Sequence, residues 1–125
     1  MGKSSVIELT LPFPPSVNRL WRAKRGGGVY RSPEYVTWAK AAAWEIAAQI
    51  KTRSIFGHYS LTIEAVKPDK RRRDLGNLEK AISDALVSAG VVEDDHLCNE
   101  IILRWVETGP QIKITLRGTD GGKEK

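Results

Sequence analysis

The chain has few of the residues that staple or sheathe a protein. Its one cysteine, Cys98, excludes an internal disulfide and points to a reducing compartment. No apolar run approaches the roughly 20 residues of a membrane span. The opening MGKSSVIELTLPF lacks the apolar core of a secretory leader, so a soluble, cytoplasmic protein with no membrane partner is expected. Internal repeats and domain linkers are absent. Gly26, Gly27 and Gly28 are not preceded by a strand and followed by a helix. They do not make a phosphate-cradling fingerprint, and no small-molecule cofactor is expected.

What remains is short, basic and moderately apolar. A length of 125 residues suits one domain, and 41% hydrophobic residues can fill one modest core without disulfides. A formal charge of +5 favours a polyanionic partner, although mild basicity is shared by many folds. Val6 to Leu11 (VIELTL) reads as a strand, ended by Pro12, Pro14 and Pro15. The basic stretch PSVNRLWRAKRGGGVYR follows and reads as a long loop or mobile hairpin with the three glycines at its tip. Ser32-Pro33-Glu34 is a helix start, and Tyr35, Trp38, Ala39, Ala42, Ala43, Ile46 and Ile50 recur at helical spacing. Trp38 and Trp44 in this helix read as packing residues.

Tyr59 to Val66 reads as a second strand. A loop with five basic residues in seven, Lys67 to Arg73, leads to a second helix with an apolar stripe of Leu75, Leu78, Ala81, Ile82, Ala85, Leu86 and Ala89. Asp74 suits its N-cap and Gly90 its C-terminal stop. After the acidic turn Glu93-Asp94-Asp95, Ile101 to Glu107 and Gln111 to Leu116 read as a hairpin turning at Thr108-Gly109-Pro110. GTDGGKEK reads as a frayed tail. The expected fold is a small α+β domain, residues 1–118, with a mixed sheet of about four strands and two main helices, followed by a flexible tail at 119–125.

The densest positive charge, Lys70 to Arg73, runs into Asp74 at a helix start. Asn77, Lys80 and Asp84 follow at spacings that share a helix face, away from the apolar stripe. Helical side chains tilt toward the N-terminus, so Lys80 leans toward Asp74 and toward an anion held at the helix start. If Asp74 meets Asp94-Asp95, the oxygen cluster suits Mg²⁺. Such an ion activates water and stabilises charge on a phosphodiester, with Arg71, Arg72 and Arg73 on flanking phosphates. Taken singly, each residue has an ordinary use: Asp74 as a cap, the arginines as a solvated loop, Lys80 and Asp84 as a surface pair. Only their combination on a basic chain points to a metal nuclease.

Three pieces of the sequence resemble the RusA family of Holliday junction resolvases: LPFPPSVNRLWR, KPDKRRRDLGNLEKAISDAL and SAGVVEDDHLCNEI. The middle piece is the specific one, and together they cover most of the chain. The resemblance implies a homodimeric, Mg²⁺-dependent endonuclease, with Mn²⁺ as a substitute ion, that makes paired nicks in four-way junction DNA. It implies that Asp74 and Asp95 bind the metal, with Asp94 beside them, and that Lys80 is catalytic. Asn18 and Arg19 fall in the N-terminal piece. With Arg22, Lys24, Arg25 and Lys70 to Arg73 they are the expected DNA contacts, and Trp21 and Tyr30 are placed to stack on unpaired bases or to pack against a second copy.

One position departs from the family pattern. A second aspartate commonly lies two residues after the first, and here that position is Gly76. Glu79, one helical turn on, is long enough to lean back into the space and serve as a substitute ligand. The alternatives are a junction-binding protein that lost cleavage through Gly76, a nuclease for other branched DNA, and an RNA-binding domain without a metal. His96 reads as a turn-exposed residue, His58 has no evident role, and Cys98 reads as a small buried residue.

Overall fold

The structure is a computed structural model. It describes the backbone of residues 6–15, 21–23, 29–51, 53–68 and 75–119, and the side chains of 6–15, 32–51, 53–68 and 78–119. The expected sites Asn18, Arg19, Lys24, Arg25, Lys70 to Arg73 and Asp74, and the tail beyond 119, lie outside the described residues. Of Arg22 only the backbone is described.

Alternation of apolar residues builds the sheet. β1 (Val6–Leu11), β4 (Tyr59–Ala65) and β6 (Ile112–Gly118) each bury every second residue. β6 lies between β1 and β4, antiparallel to both, and β5 (Cys98–Trp105) adds to the far side of β4 in parallel. Partner positions line up in rows across the sheet: Ile7, Leu116 and Leu61; Leu9, Ile114 and Ile63; Leu11, Ile112 and Ala65. All nine side chains are buried. β2 (Trp21–Ala23) and β3 (Val29–Arg31), within the basic segment, form a separate antiparallel ribbon.

The expected hairpin between the last two strands does not form. β4 lies between β5 and β6. The connection at residues 106–111 passes over the end of β4 and is bonded to it on both sides, Val106 N–H to the Ala65 carbonyl (2.9 Å) and Val66 N–H to the Gln111 carbonyl (3.0 Å). A Thr-Gly-Pro turn has the same local chemistry whether it joins neighbours or straddles a third strand. β4 takes a central place, paired on both edges, and buries Tyr59, Leu61, Ile63 and Ala65 completely. β6 also continues through Gly118, and Thr119 is held by the His58 carbonyl and Asn99.

α1 (Pro33–Ile50) packs on β1. Ser32 Oγ accepts from Tyr35 N–H at 3.1 Å, and Pro33 occupies the first turn. Tyr35, Trp38, Ala42, Ile46 and Ile50 are buried, and Trp38 Nε1 donates to the Pro12 carbonyl at 2.9 Å. Gln49 reaches β1 and clasps Thr10 at both its N–H and its carbonyl, each at 2.8 Å. That amide satisfies backbone groups on an edge strand, which would otherwise invite another chain. Trp44 departs from expectation: it is 75% exposed. Its position falls on the face opposite Ala42 and Ile46, where helical spacing carries it to solvent.

α2 (Leu75–Ser88) is the crossover that the parallel pair β4 and β5 requires. Leu78, Ala81, Ile82 and Leu86 are buried. The helix stops as expected at Gly90, whose φ is +78°. Gly90 N–H bonds the Val87 carbonyl and Val91 N–H bonds the Leu86 carbonyl, both at 3.0 Å, closing the last turn in a Schellman arrangement. Val91 and Val92 are buried, and Val92 bridges Ile55. No described helix is long and apolar enough to cross a membrane.

Candidate active site

The loop from α2 to β5 brings the acidic turn to the start of the parallel strands. Glu93 is tied down there, its Oε1 accepting from Gly57 N–H at 3.0 Å. A short 3-10 turn, Asp95–Leu97, leads directly into β5. Asp94 caps it. Its Oδ1 accepts from His96 N–H at 3.0 Å and faces His96 Nδ1 at 2.9 Å. The His96 backbone N–H, then its side chain, hold the Asp94 carboxyl below the ordinary carboxylate range, at about 2. Asp94 is therefore employed in shaping the turn. Asp95, the next residue, is exposed in the first turn. His96 is exposed as expected and is engaged with Asp94.

On α2, Glu79 and Lys80 point in different directions. Lys80 is exposed, while Glu79 is half-buried. Ser83, one turn on and 3% exposed, donates its hydroxyl to Glu79 Oε2 at 2.5 Å. A buried serine thus fixes the carboxylate of a residue that would otherwise rotate freely. Asp84 does not remain on an outer face with Lys80. It turns to the seam with α1 and lines a small cavity with Tyr35, Ala39 and Ala43.

Tyr59 and Cys98 open β4 and β5 and are directly paired. Tyr59 is fully buried, with the Cys98 side chain as the polar neighbour of its hydroxyl. Burial first, then Cys98, Asp95 and Glu79, push the phenol well above its usual pKa. Burial likewise raises Cys98, with Glu79 and Asp95 adding to it, and the Cys98 thiol donates to the Glu100 carbonyl at 3.4 Å. Glu79 from α2 and Asp95 from the 3-10 turn therefore act on the same two groups.

Among the described residues, no three His, Cys, Asp or Glu side chains lie close enough together to hold a metal. Mg²⁺ does not need three, because it is commonly held by one or two carboxylates with waters and substrate phosphates completing its shell. All-oxygen donors, one of them pre-oriented by Ser83, are the chemistry such an ion takes. Asp74 precedes the first residue of α2, outside the described residues. Sequence reading missed Tyr59 and Ser83. Tyr59 opens an alternating strand and reads as core, and only the i,i+4 spacing of Glu79 and Ser83 hinted at their bond. Near the basic loop, Lys67 Nζ lies 5.4 Å from the Trp105 ring centroid, which anchors the loop's start to β5.

Comparison with known proteins gives a consistent picture. A family model described as endodeoxyribonuclease RusA matches residues 12–117. A crossover junction endodeoxyribonuclease RusA of Aquifex aeolicus is 35% identical over 102 residues, covering 81% of this chain and 79% of that one. The protein of the same name from Enterobacteria phage HK97 is 38% identical over 103 residues, with 80% and 83% covered. That of Enterobacteria phage 82 is 35% identical over 122 residues, with 96% and 99% covered. With a family match across nearly all the described fold and full-length relatives above 30% identity, the chain belongs to the RusA family of endodeoxyribonucleases.

Proposed function

We propose that the chain is a Mg²⁺-dependent endonuclease that resolves four-way DNA junctions by paired, symmetric nicks in recombination and repair. The observation that carries this reading is the RusA family match over residues 12–117, within which Ser83 orients Glu79 and the exposed Asp95 opens the 3-10 turn that leads into β5. Asp74, Glu79 and Asp95 would hold the ion, with Asp94 setting the turn that presents Asp95. When bound, the metal would activate water and stabilise charge on the phosphodiester. Lys80, exposed next to Glu79, offers an ammonium to the phosphate under attack. Arg71, Arg72, Arg73 and Lys70 grip flanking phosphates. Asn18, Arg19, Arg22, Lys24 and Arg25 of the hairpin region contact the junction arms. Paired cuts need two sites related by two-fold symmetry, which a homodimer supplies. Cytoplasmic localisation accompanies this reading.

The test is a labelled synthetic four-way junction with Mg²⁺ or with EDTA, beside linear duplex and flap controls. Asp74→Asn and Asp95→Asn should each lower cleavage at least ~100-fold without loss of junction binding. Glu79→Gln should also impair cleavage, and Gly76→Asp in that background should restore it, because position 76 lies one turn before Glu79 on α2. A second reading rests on Gly76 itself. If the wild type binds junctions selectively and never cuts them with Mg²⁺ or Mn²⁺, the chain is a branched-DNA-binding protein. Cleavage that favours flaps would make it a nuclease for another branched structure.

A further inference from the structure

The sheet has two outer edges, and they are finished differently. On β1 the Gln49 amide occupies the N–H and the carbonyl of Thr10. On β5, at the other end of the strand order, no described strand pairs with the outer edge. β5 also leaves apolar side chains in solvent on both of its faces. Ile101, on the face that carries the core, is 44% exposed, and Ile102, on the open face, is 37% exposed. Edge strands usually carry charges that repel a second strand. Those of β5, Glu100 and Arg104, are both exposed, but they have opposite sign and flank Ile102 at equal spacing.

That spacing is self-complementary. A two-fold axis normal to the sheet would pair β5 with the β5 of a second copy in antiparallel order. Such an axis keeps each face on its own side. It therefore passes through one residue position and sets positions equally far from it opposite each other. Centred on Ile102, it sets Glu100 against Arg104 of the second copy, twice over, and Ile102 against Ile102. On the other face it sets Ile101 against Leu103. Each of these pairs is apolar with apolar or acid with base. Centring on Glu100 or on Arg104 opposes like charges, and centring on Ile101 or on Leu103 sets Ile102 against a charge. Arg104 lies 3.5 Å from Glu64, its partner on β4, which leaves its other N–H donors for a second carboxylate.

We propose that the outer edge of β5 is where a second copy of this chain docks, antiparallel and centred on Ile102, joining two four-stranded sheets into one. The proposal rests on the homodimer reading given above and assigns its surface. β5 begins directly after the turn that carries Asp95, so the axis that pairs the strands also fixes the two acidic turns relative to each other.

The experiment reads molecular mass by analytical ultracentrifugation across a dilution series for the wild type, Glu100→Arg, Arg104→Glu and Ile102→Lys. Melting temperature and Mg²⁺-dependent junction cleavage are measured in parallel. The wild type should be a dimer. Each variant should self-associate at least ~100-fold more weakly, because like charges then meet across the axis. An equal mixture of Glu100→Arg and Arg104→Glu should recover a dimer, since each chain meets the opposite sign at both positions. Wild-type mass in Glu100→Arg would overturn the assignment of this edge. A mixture that stays monomeric while both chains are folded would overturn the register. A dimeric wild type that cuts junctions would in either case leave the parent reading standing on another surface. A wild type that is monomeric when it cuts would overturn both the edge and the homodimer. Loss of cleavage with the dimer and its charge-swap rescue intact would sink the nuclease reading and support the interface. If Arg104→Glu fails to fold, because its new carboxylate faces Glu64, then Glu100→Arg and Ile102→Lys decide, and wild-type mass in either overturns the proposal.

Discussion

The two sides of β4 differ in kind. On one side β6 and β1 continue it in antiparallel order, and every second row of partners is buried across all three strands. On the other side β5 joins in parallel and breaks the rule: Ile101, which extends the row of Ile7, Leu116 and Leu61, is 44% exposed. The antiparallel side is also finished at its edge, where Gln49 clasps Thr10. The parallel side is reached through α2, and its start collects Tyr59, Glu79, Asp95 and Cys98. Stability is concentrated where the chain alternates and returns on itself. The proposed chemistry lies where a crossover brings a helix, a turn and two strand ends together.

This contrast can be broken by equal truncations in one row. Leu116→Ala on the antiparallel side should cost about 2–5 kcal/mol, lowering the melting temperature by roughly 10 °C or more. Ile101→Ala on the parallel side should cost under ~1 kcal/mol, as expected for a partly solvated position. Equal losses in chemical denaturation would show that β5 is as integral to the core as β6. A loss in Ile101→Ala that shrinks as the protein is diluted would place a second copy on this edge.

The same contrast explains which parts of the fold could be read in the sequence. Helix limits were legible because their signals are local: Ser32 caps α1, and Gly90 ends α2 in a left-handed turn. The strands on the antiparallel side were legible because alternation is a property of one segment. The place of β5 was not, because strand order depends on partners far along the chain, and Thr108-Gly109-Pro110 does not encode which strand it crosses. The candidate site was legible as residue types at a helix start and an acidic turn. That Glu79 from the helix and Asp95 from the turn both act on Tyr59 and Cys98 depends on tertiary placement. Trp44 shows the opposite error, since large aromatic residues are usually buried but this one lies on the wrong face of its helix.

A smaller effect sharpens the comparison at the junction between helix and site. A Cβ at Gly90 would meet nothing within 4 Å, so its φ of +78° is the only obstacle to substitution. Gly90→Ala should therefore cost about 1–2 kcal/mol, and Gly90→Asn less, since asparagine tolerates this conformation better. Cleavage per folded molecule should be unchanged in both. A selective fall in cleavage would mean that the stop of α2 also sets the position of the acidic turn.

The finest distinction is between two adjacent aspartates. Asp94 is held near pH 2 chiefly by the His96 backbone N–H, while Asp95 has the role assigned to a ligand. A carboxyl whose pKa is lowered on folding stabilises the protein fully above its unfolded pKa of about 4, and that contribution is lost as pH falls through about 2. Asparagine can cap the turn but cannot titrate. The melting difference between wild type and Asp94→Asn should therefore be constant above pH 5 and shrink between about pH 4 and pH 2. Asp94→Asn should retain cleavage at neutral pH, where Asp95→Asn loses it. If Asp94→Asn instead abolishes metal binding and leaves the acid melting profile unchanged, the two roles are reversed, and the cap geometry at His96 belongs to the metal-free turn alone.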